Sequence, residues 1–136
     1  MGALLNPYLN FRGTTREAMQ WYQEVFGGDL TISTFAELHG SMDPSEDDLV
    51  MHADLEGASG IRFMGADVPN RMEYTPGTNF SMSLSGEDEA ELRGYFEKLS
   101  DEGSITMPLE KAPWGDIFGM CTDRFGISWL VNVNAS

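Results

Sequence analysis

Sliding the sequence past itself by 73 positions sets Leu9 on Met82, Phe11 on Leu84 and Gly13 on Gly86, then Met19 on Leu92, Tyr22 on Tyr95 and Phe26 on Leu99. Each copy reads as a short alternating strand, a glycine corner, an amphipathic helix and a glycine exit, Gly27-Gly28 in one and Gly103 in the other. A period this long marks one packed module and not a solenoid unit, whose repeats run roughly 20–50 residues. Two unrelated strand–helix units can also match at six apolar or glycine positions, so the rest of the pattern has to support the duplication.

It does so along the whole chain. Over residues 6–12, Leu9 and Phe11 point one way and Tyr8 and Asn10 the other, as a period of two demands. Gly13-Thr14-Thr15 supplies a turn and a helix N-cap, with Glu17 in the first turn where the helix dipole favours an acid. Ala18, Met19, Tyr22, Val25 and Phe26 fall at helical spacing, and Gly27-Gly28 ends the helix. A strand at 29–35, a polar loop over 37–48 that holds His39, and a hairpin of 49–56 with 60–66 around Gly57-Ala58-Ser59-Gly60 complete the first copy. The second copy sets Phe80, Met82 and Leu84 against Ser81, Ser83 and Ser85, opens a helix at Glu87-Asp88-Glu89, runs it to about Glu102, and adds strands near 104–110, 116–122 and 128–133.

The order βαβββ, twice, predicts an α+β fold. It places module one at about 4–67, a linker at about 68–77 and module two at about 78–136, all in a single domain spanning 1–136. With the helix stripes covering Leu9/Phe11 and Met82/Leu84, the opposite sheet faces carry Tyr8, Asn10, Ser81 and Ser83. Polar yet strand-borne faces point to two curved mixed sheets around a cavity. A flat, solvated sheet face is the plain alternative.

Charge and cysteine content exclude several functions. A net charge of −14, with only Lys98 and Lys111 as lysines, repels nucleic acid and anionic membrane surfaces. The same excess of acid serves solubility, or a field that draws in a cationic ligand. Cys121 is alone, so an internal disulfide and a thiolate zinc site are both excluded; it reads as a small core residue of a strand. No apolar run approaches the ~18 residues of a membrane span, and the opening residues lack a basic region followed by an apolar core, so a cytoplasmic protein is expected.

The stretch Pro113-Trp114-Gly115-Asp116-Ile117-Phe118-Gly119-Met120, followed by Thr122-Asp123-Arg124-Phe125-Gly126-Ile127-Ser128-Trp129, resembles the vicinal oxygen chelate superfamily, the glyoxalase, bleomycin-resistance and extradiol dioxygenase group. Asn6-Pro7-Tyr8-Leu9-Asn10-Phe11, the Trp21-Tyr22 to Phe26-Gly27-Gly28 helix and Val50-Met51-His52-Ala53 are similar to its PhnB-like branch, often labelled 3-demethylubiquinone methyltransferase-like. The resemblance implies paired βαβββ modules and a divalent metal held by His, Glu or Gln from four strands. Those places fall near Asn6, Met64, Asn79 and Leu130, and a slip of one or two residues brings in Tyr8, Arg62 or Ser81. Methionine and leucine offer nothing to a hard dication and an amide oxygen is a weak ligand, so no metal is expected.

The residues expected to line the cavity are Asn6, Tyr8, His52, Met64, Asp67, Asn79, Ser81, Trp114, Asp116 and Phe118. His52 sits opposite a strand face of Leu49, Met51, Ala53 and Leu55, and is either a general base or a hydrogen-bonded interior group. Trp114 and Phe118 suit an aromatic wall, with Met51, Met64 and Met120 as soft lining; Asp67 and Asp116 suit the mouth, and Trp129 the core. Gly13-Thr14-Thr15 has neither the glycine spacing nor the lysine of a phosphate loop, and Gly57-Ala58-Ser59-Gly60 is not a nucleophile elbow. No cofactor is therefore expected, and a nucleotide-type methyl donor least of all. The sequence favours a metal-independent binder of a small organic molecule, cationic or aromatic, in a homodimer. The alternatives are a lyase, isomerase or dioxygenase of the same superfamily using a divalent metal or His52, and a purely structural dimer module.

Overall fold

The computed structural model describes residues 2–38, 43–58 and 60–135, so His39 and Ser59 lie outside the described residues. The elements run β1 (Tyr8–Phe11), α1 (Thr15–Phe26), β2 (Asp29–Thr34), β3 (Val50–Glu56), β4 (Arg62–Asp67), β5 (Met82–Gly86), α2 (Glu89–Ser100), β6 (Ser104–Lys111), β7 (Ile117–Thr122) and β8 (Ser128–Val133). The chain divides into two compact units, Met1–Thr75 and Pro76–Ser136. Each unit is one βαβββ module with a four-stranded mixed sheet, ordered β1-β4-β3-β2 in the first and β5-β8-β7-β6 in the second. In each, the first and last strands pair in parallel and the rest antiparallel. Neither sheet closes on itself. The α+β architecture is the one the strand and helix periodicity predicts.

In the first unit, Leu9 and Phe11 of β1, Phe63 of β4 and Ala53 and Leu55 of β3 are buried on the side of α1. The helix answers with Ala18, Met19, Tyr22, Val25 and Phe26. Tyr22 and Phe26 meet Phe63 edge to face, with centroids 5.3 and 6.1 Å away. Burying side chains of this size contributes about 1.5–3 kcal/mol each, so this stripe holds the unit together. Gly65 lets the helix come close: a Cβ there would stand 3.4 Å from the Met19 sulfur and 3.2 Å from the Leu9 carbonyl oxygen.

Two local expectations are corrected. Thr14 occupies the N-cap of α1 but makes no side-chain cap bond. The capping acceptor arrives from β4 instead: Asp67 Oδ1 accepts from Gly13 N (2.8 Å), Thr15 N (3.2 Å) and Thr15 Oγ1 (2.7 Å). The second correction concerns Met51. A register shift between Ser33 and Thr34 sets Thr34 opposite Val50, and this bulge breaks the alternation of β3. Val50 takes the core place, and Met51 is left exposed, off the face of Ala53 and Leu55.

The second unit buries Met82, Leu92, Phe96, Leu99, Leu109, Cys121, Trp129, Val131 and Val133. Asp88 caps α2 by accepting from Glu91 N at 3.0 Å, and the helix ends at Ser100, short of Glu102. Phe80 lies ahead of β5 and is exposed, so it does not share the face of Met82. The buried helix positions Ala18, Tyr22 and Val25 answer to Leu92, Phe96 and Leu99, an offset of 74; Tyr22 therefore corresponds to Phe96 and not to the half-buried Tyr95. Between β4 and β8 the offset falls to 66, because the segment joining β2 to β3 is longer than the turn joining β6 to β7.

Candidate functional site

Each sheet turns one face to its helix and leaves the other free of it, and the expected site residues sort by that division. On the first sheet, the ladder sets Tyr8 beside Met64, Met64 beside Asp54, and Asp54 beside Thr31, so these share the helix-free face. His52, paired with Ser33, belongs to the same face. Tyr8 Oη lies 3.4 Å from His52 Nδ1, and the two rings stand 5.9 Å apart at 41°. Partial burial pushes the Tyr8 phenol up, which keeps it a neutral donor and acceptor at ordinary pH.

The same face holds an ion pair that hydrophobic patterning does not reveal. Arg62 Nη2 donates to Asp54 Oδ2 at 2.9 Å and its Nε to Oδ1 at 3.3 Å. The guanidinium holds the Asp54 carboxyl below its usual range. The sequence signal was available: Arg62 and Glu56 flank the hairpin turn as direct ladder partners, with Asp54 two residues further on the same face.

On the second sheet, Met107, Met120, Leu130 and Ser83 form one row across the helix-free face, and Glu110, Phe118, Asn132 and Ser85 form the next. Met120, Phe118 and Leu130 are half-buried. Trp114, in the turn between β6 and β7, is 62 % exposed and packs on Phe118 at 5.6 Å and 64°. Ser81, just ahead of β5, donates its hydroxyl to Ser128 Oγ at 3.0 Å.

Asp67, Asp116, Asn6 and Asn79 remain of the expected residues. Asp67 faces the helix side and is 4 % exposed, with Oδ2 accepting from Val50 N at 2.9 Å and Oδ1 taken up at the start of α1. It is a structural clasp, not a group at a cavity mouth; its place opposite Phe11 in the ladder puts it on the core side. Asp116 accepts from Asn132 Nδ2 (3.0 Å) and Ala135 N (2.7 Å), and these bonds hold its carboxyl below the ordinary range. Asn6 is half-buried before β1, and Asn79 is exposed before β5. Two buried hubs escaped the sequence reading. Asp123 accepts from Phe125 N, Ile127 N and Trp129 Nε1, fixing the β7–β8 turn, and Glu46 accepts from Asn70 N. Cys121 is buried as expected, its thiol pushed up to about 11 by burial and by Asp123.

The divalent cation that the superfamily resemblance implies does not fit these residues. Met64 and Leu130 stand on the helix-free faces with a thioether and an alkyl group; Met64 lies between Tyr8 and Asp54, whose carboxylate is taken by Arg62, and Leu130 lies between Ser83 and Met120. A hard dication needs carboxylate, imidazole or several oxygens. Among the described residues, no three of His, Cys, Asp and Glu come together in a way that could hold a metal ion. Among the same residues, no helix is long and apolar enough to cross a membrane.

With the fold and these faces in place, comparison with known proteins identifies the family. The family described as 3-demethylubiquinone-9 3-methyltransferase matches residues 4–132, and the chain belongs to it. The chain is similar to PA1353 of Pseudomonas aeruginosa, with 34% identity and a TM-score of 0.83 over 99% of this chain and 100% of that one. A PhnB protein from Bacillus cereus is 29% identical, with a TM-score of 0.74 over 97% and 100%. Protein YjdN of Escherichia coli (strain K12) is 29% identical over 140 residues, covering 95% of this chain and 94% of the relative. A glyoxylase/bleomycin resistance protein/dioxygenase domain from Frankia sp. EAN1pec, 16% identical, superposes with a TM-score of 0.66 over 100% and 94%, which shows the shared fold alone.

Proposed function

We propose that the protein is a metal-independent binder of a small organic molecule. One observation carries the reading: the helix-free sheet faces bear half-exposed aromatic, imidazole, thioether and alkyl side chains (Tyr8, His52 and Met64 on one; Phe118, Met120 and Leu130 on the other), and the carboxylate beside Met64, Asp54, is taken by Arg62. Such surfaces, with a few polar groups to fix orientation, suit an organic ligand. Methyl transfer is not part of the proposal, since the sequence offers no glycine-rich loop for a nucleotide-type donor. The proposal extends to a homodimer in the cytoplasm, consistent with a single buried cysteine and no possible internal disulfide.

Elemental analysis of protein purified without chelators, paired with thermal shift against an organic ligand panel, tests it. The expected result is far less than one metal per chain and stabilisation by at least one compound. A ligand at 100 times its Kd contributes about 2.7 kcal/mol. Stoichiometric nickel, zinc, iron or manganese refutes the reading. Sedimentation velocity checks the dimer.

The 3.4 Å approach of Tyr8 Oη to His52 Nδ1 favours a second reading, acid–base catalysis with His52 as base and Tyr8 as its hydroxyl partner. Turnover lost in His52→Ala with the fold intact would support it over simple binding; unchanged turnover would remove His52 from the chemistry.

A further inference from the structure

We infer that the corner formed by Trp114, Phe118 and Glu110 on the second unit binds an aromatic organic cation, one joining a flat ring to an ammonium group. The inference deepens the small-molecule reading above and rests on it. A tryptophan at 62 % exposure is costly to leave in water, and this one is not loose, because its ring packs edge to face on Phe118 at 5.6 Å. The turn carrying it is tied by Ala112 N to Asp116 O (2.7 Å) and Gly115 N to Ala112 O (3.0 Å). Two packed rings, the Trp114 ring largely exposed, form a stacking surface.

Charge selects the ligand. Glu110 is the direct ladder partner of Phe118, so its carboxylate shares the helix-free face with the ring, and it is exposed. Asp116, two residues from both Trp114 and Phe118, is held ionised by Asn132 and Ala135 N. Lys111, the nearest cation in sequence, pairs with Ile117 and alternates to the opposite face, and Arg93 reaches the Leu109 carbonyl from α2 at 3.5 Å. An aromatic pair beside carboxylates and away from the lysine attracts a cation through the ring quadrupole and through Coulomb attraction together. An anionic ligand would meet the carboxylates and a net charge of −14. The neighbouring row of Met107, Met120 and Leu130 gives the ring portion a soft apolar bed.

Binding of phenyltrimethylammonium and of its neutral isostere tert-butylbenzene, followed by Trp fluorescence and calorimetry on the intact protein, tests the assignment. The cation should bind about tenfold more tightly than the isostere and weaken as salt rises. Trp114→Ala, at an exposed position, should lower cation affinity about tenfold, and Glu110→Gln should lower it several-fold without affecting the isostere. Equal binding of both probes, or binding unchanged in Trp114→Ala, overturns the cation corner while leaving small-molecule binding standing. If neither probe binds but another compound stabilises the protein, this corner is not the site. If the whole panel fails as well, the small-molecule reading falls with it.

Discussion

Asp67 offers the sharpest test of how the first unit is held. Its two carboxylate oxygens accept from four donors: Gly13 N, Thr15 N and Thr15 Oγ1 on one, Val50 N on the other. The residue is 4 % exposed, so water cannot take over most of these bonds. A buried donor left without an acceptor costs about 1–3 kcal/mol, and neighbouring losses do not add fully. Asp67→Ala should therefore destabilise by about 3–5 kcal/mol, a large part of the roughly 5–15 kcal/mol that holds a typical domain. Asp67→Asn keeps one acceptor but turns an amide NH2 toward the remaining donors, so it recovers only part of the loss. Urea unfolding followed by far-ultraviolet circular dichroism gives the free energy. Amide hydrogen exchange gives the location: Gly13, Thr15 and Val50 should lose protection before the α1 interior does. An alanine variant within about 1 kcal/mol of the parent, or with unchanged exchange at Val50, would refute the clasp.

Two further outcomes follow from backbone and thiol geometry. Gly28, at φ +96°, would drive a Cβ into the Glu56 carbonyl, so Gly28→Ala should lose about 2 kcal/mol or more; Gly94, inside α2 with open space around it, should gain up to about 1 kcal/mol on the same change. Thermal melts of the two variants should shift in opposite directions. The Cys121 thiol, raised from 9.0 to about 11, should resist a disulfide reagent at pH 8 until the protein is unfolded. The folded state keeps this proton longer than the unfolded chain, so its contribution to stability is complete below about pH 9 and is lost as pH rises toward 11. A thiol that reacts at the same rate folded and unfolded refutes the burial argument.

The fold was legible because its signals are periodic. Leu9 and Phe11 against Tyr8 and Asn10, and the stripe from Ala18 to Phe26, each follow from a repeat of 2 or 3.6 and from side chains that must leave water. The family resemblance extended the same reading to the whole chain. Features that depend on contacts distant in sequence were not legible. The Ser33/Thr34 bulge that exposes Met51 is set by pairing across strands. Asp67 caps a helix 52 residues upstream, and no local cap motif announces it. No periodicity marks Asp123, yet it accepts from the Trp129 indole at 2.8 Å. The candidate site divides along the same line. Tyr8, His52, Met64 and Phe118 follow from strand alternation, whereas the Asp54–Arg62 pair and the Trp114–Phe118 packing need the ladder and the turn.

Strand order within each unit has a consequence for how the chain assembles. In both sheets the strand synthesised last lies in the interior, β4 between β1 and β3, and β8 between β5 and β7. A nascent unit emerging from the ribosome can form its inner hairpin and its helix, but the opening strand has no neighbour until the final one arrives. Folding of each half is thereby gated by its own final strand, and a chain interrupted before it leaves two further strand edges unpaired, where loss of an outer strand would leave one.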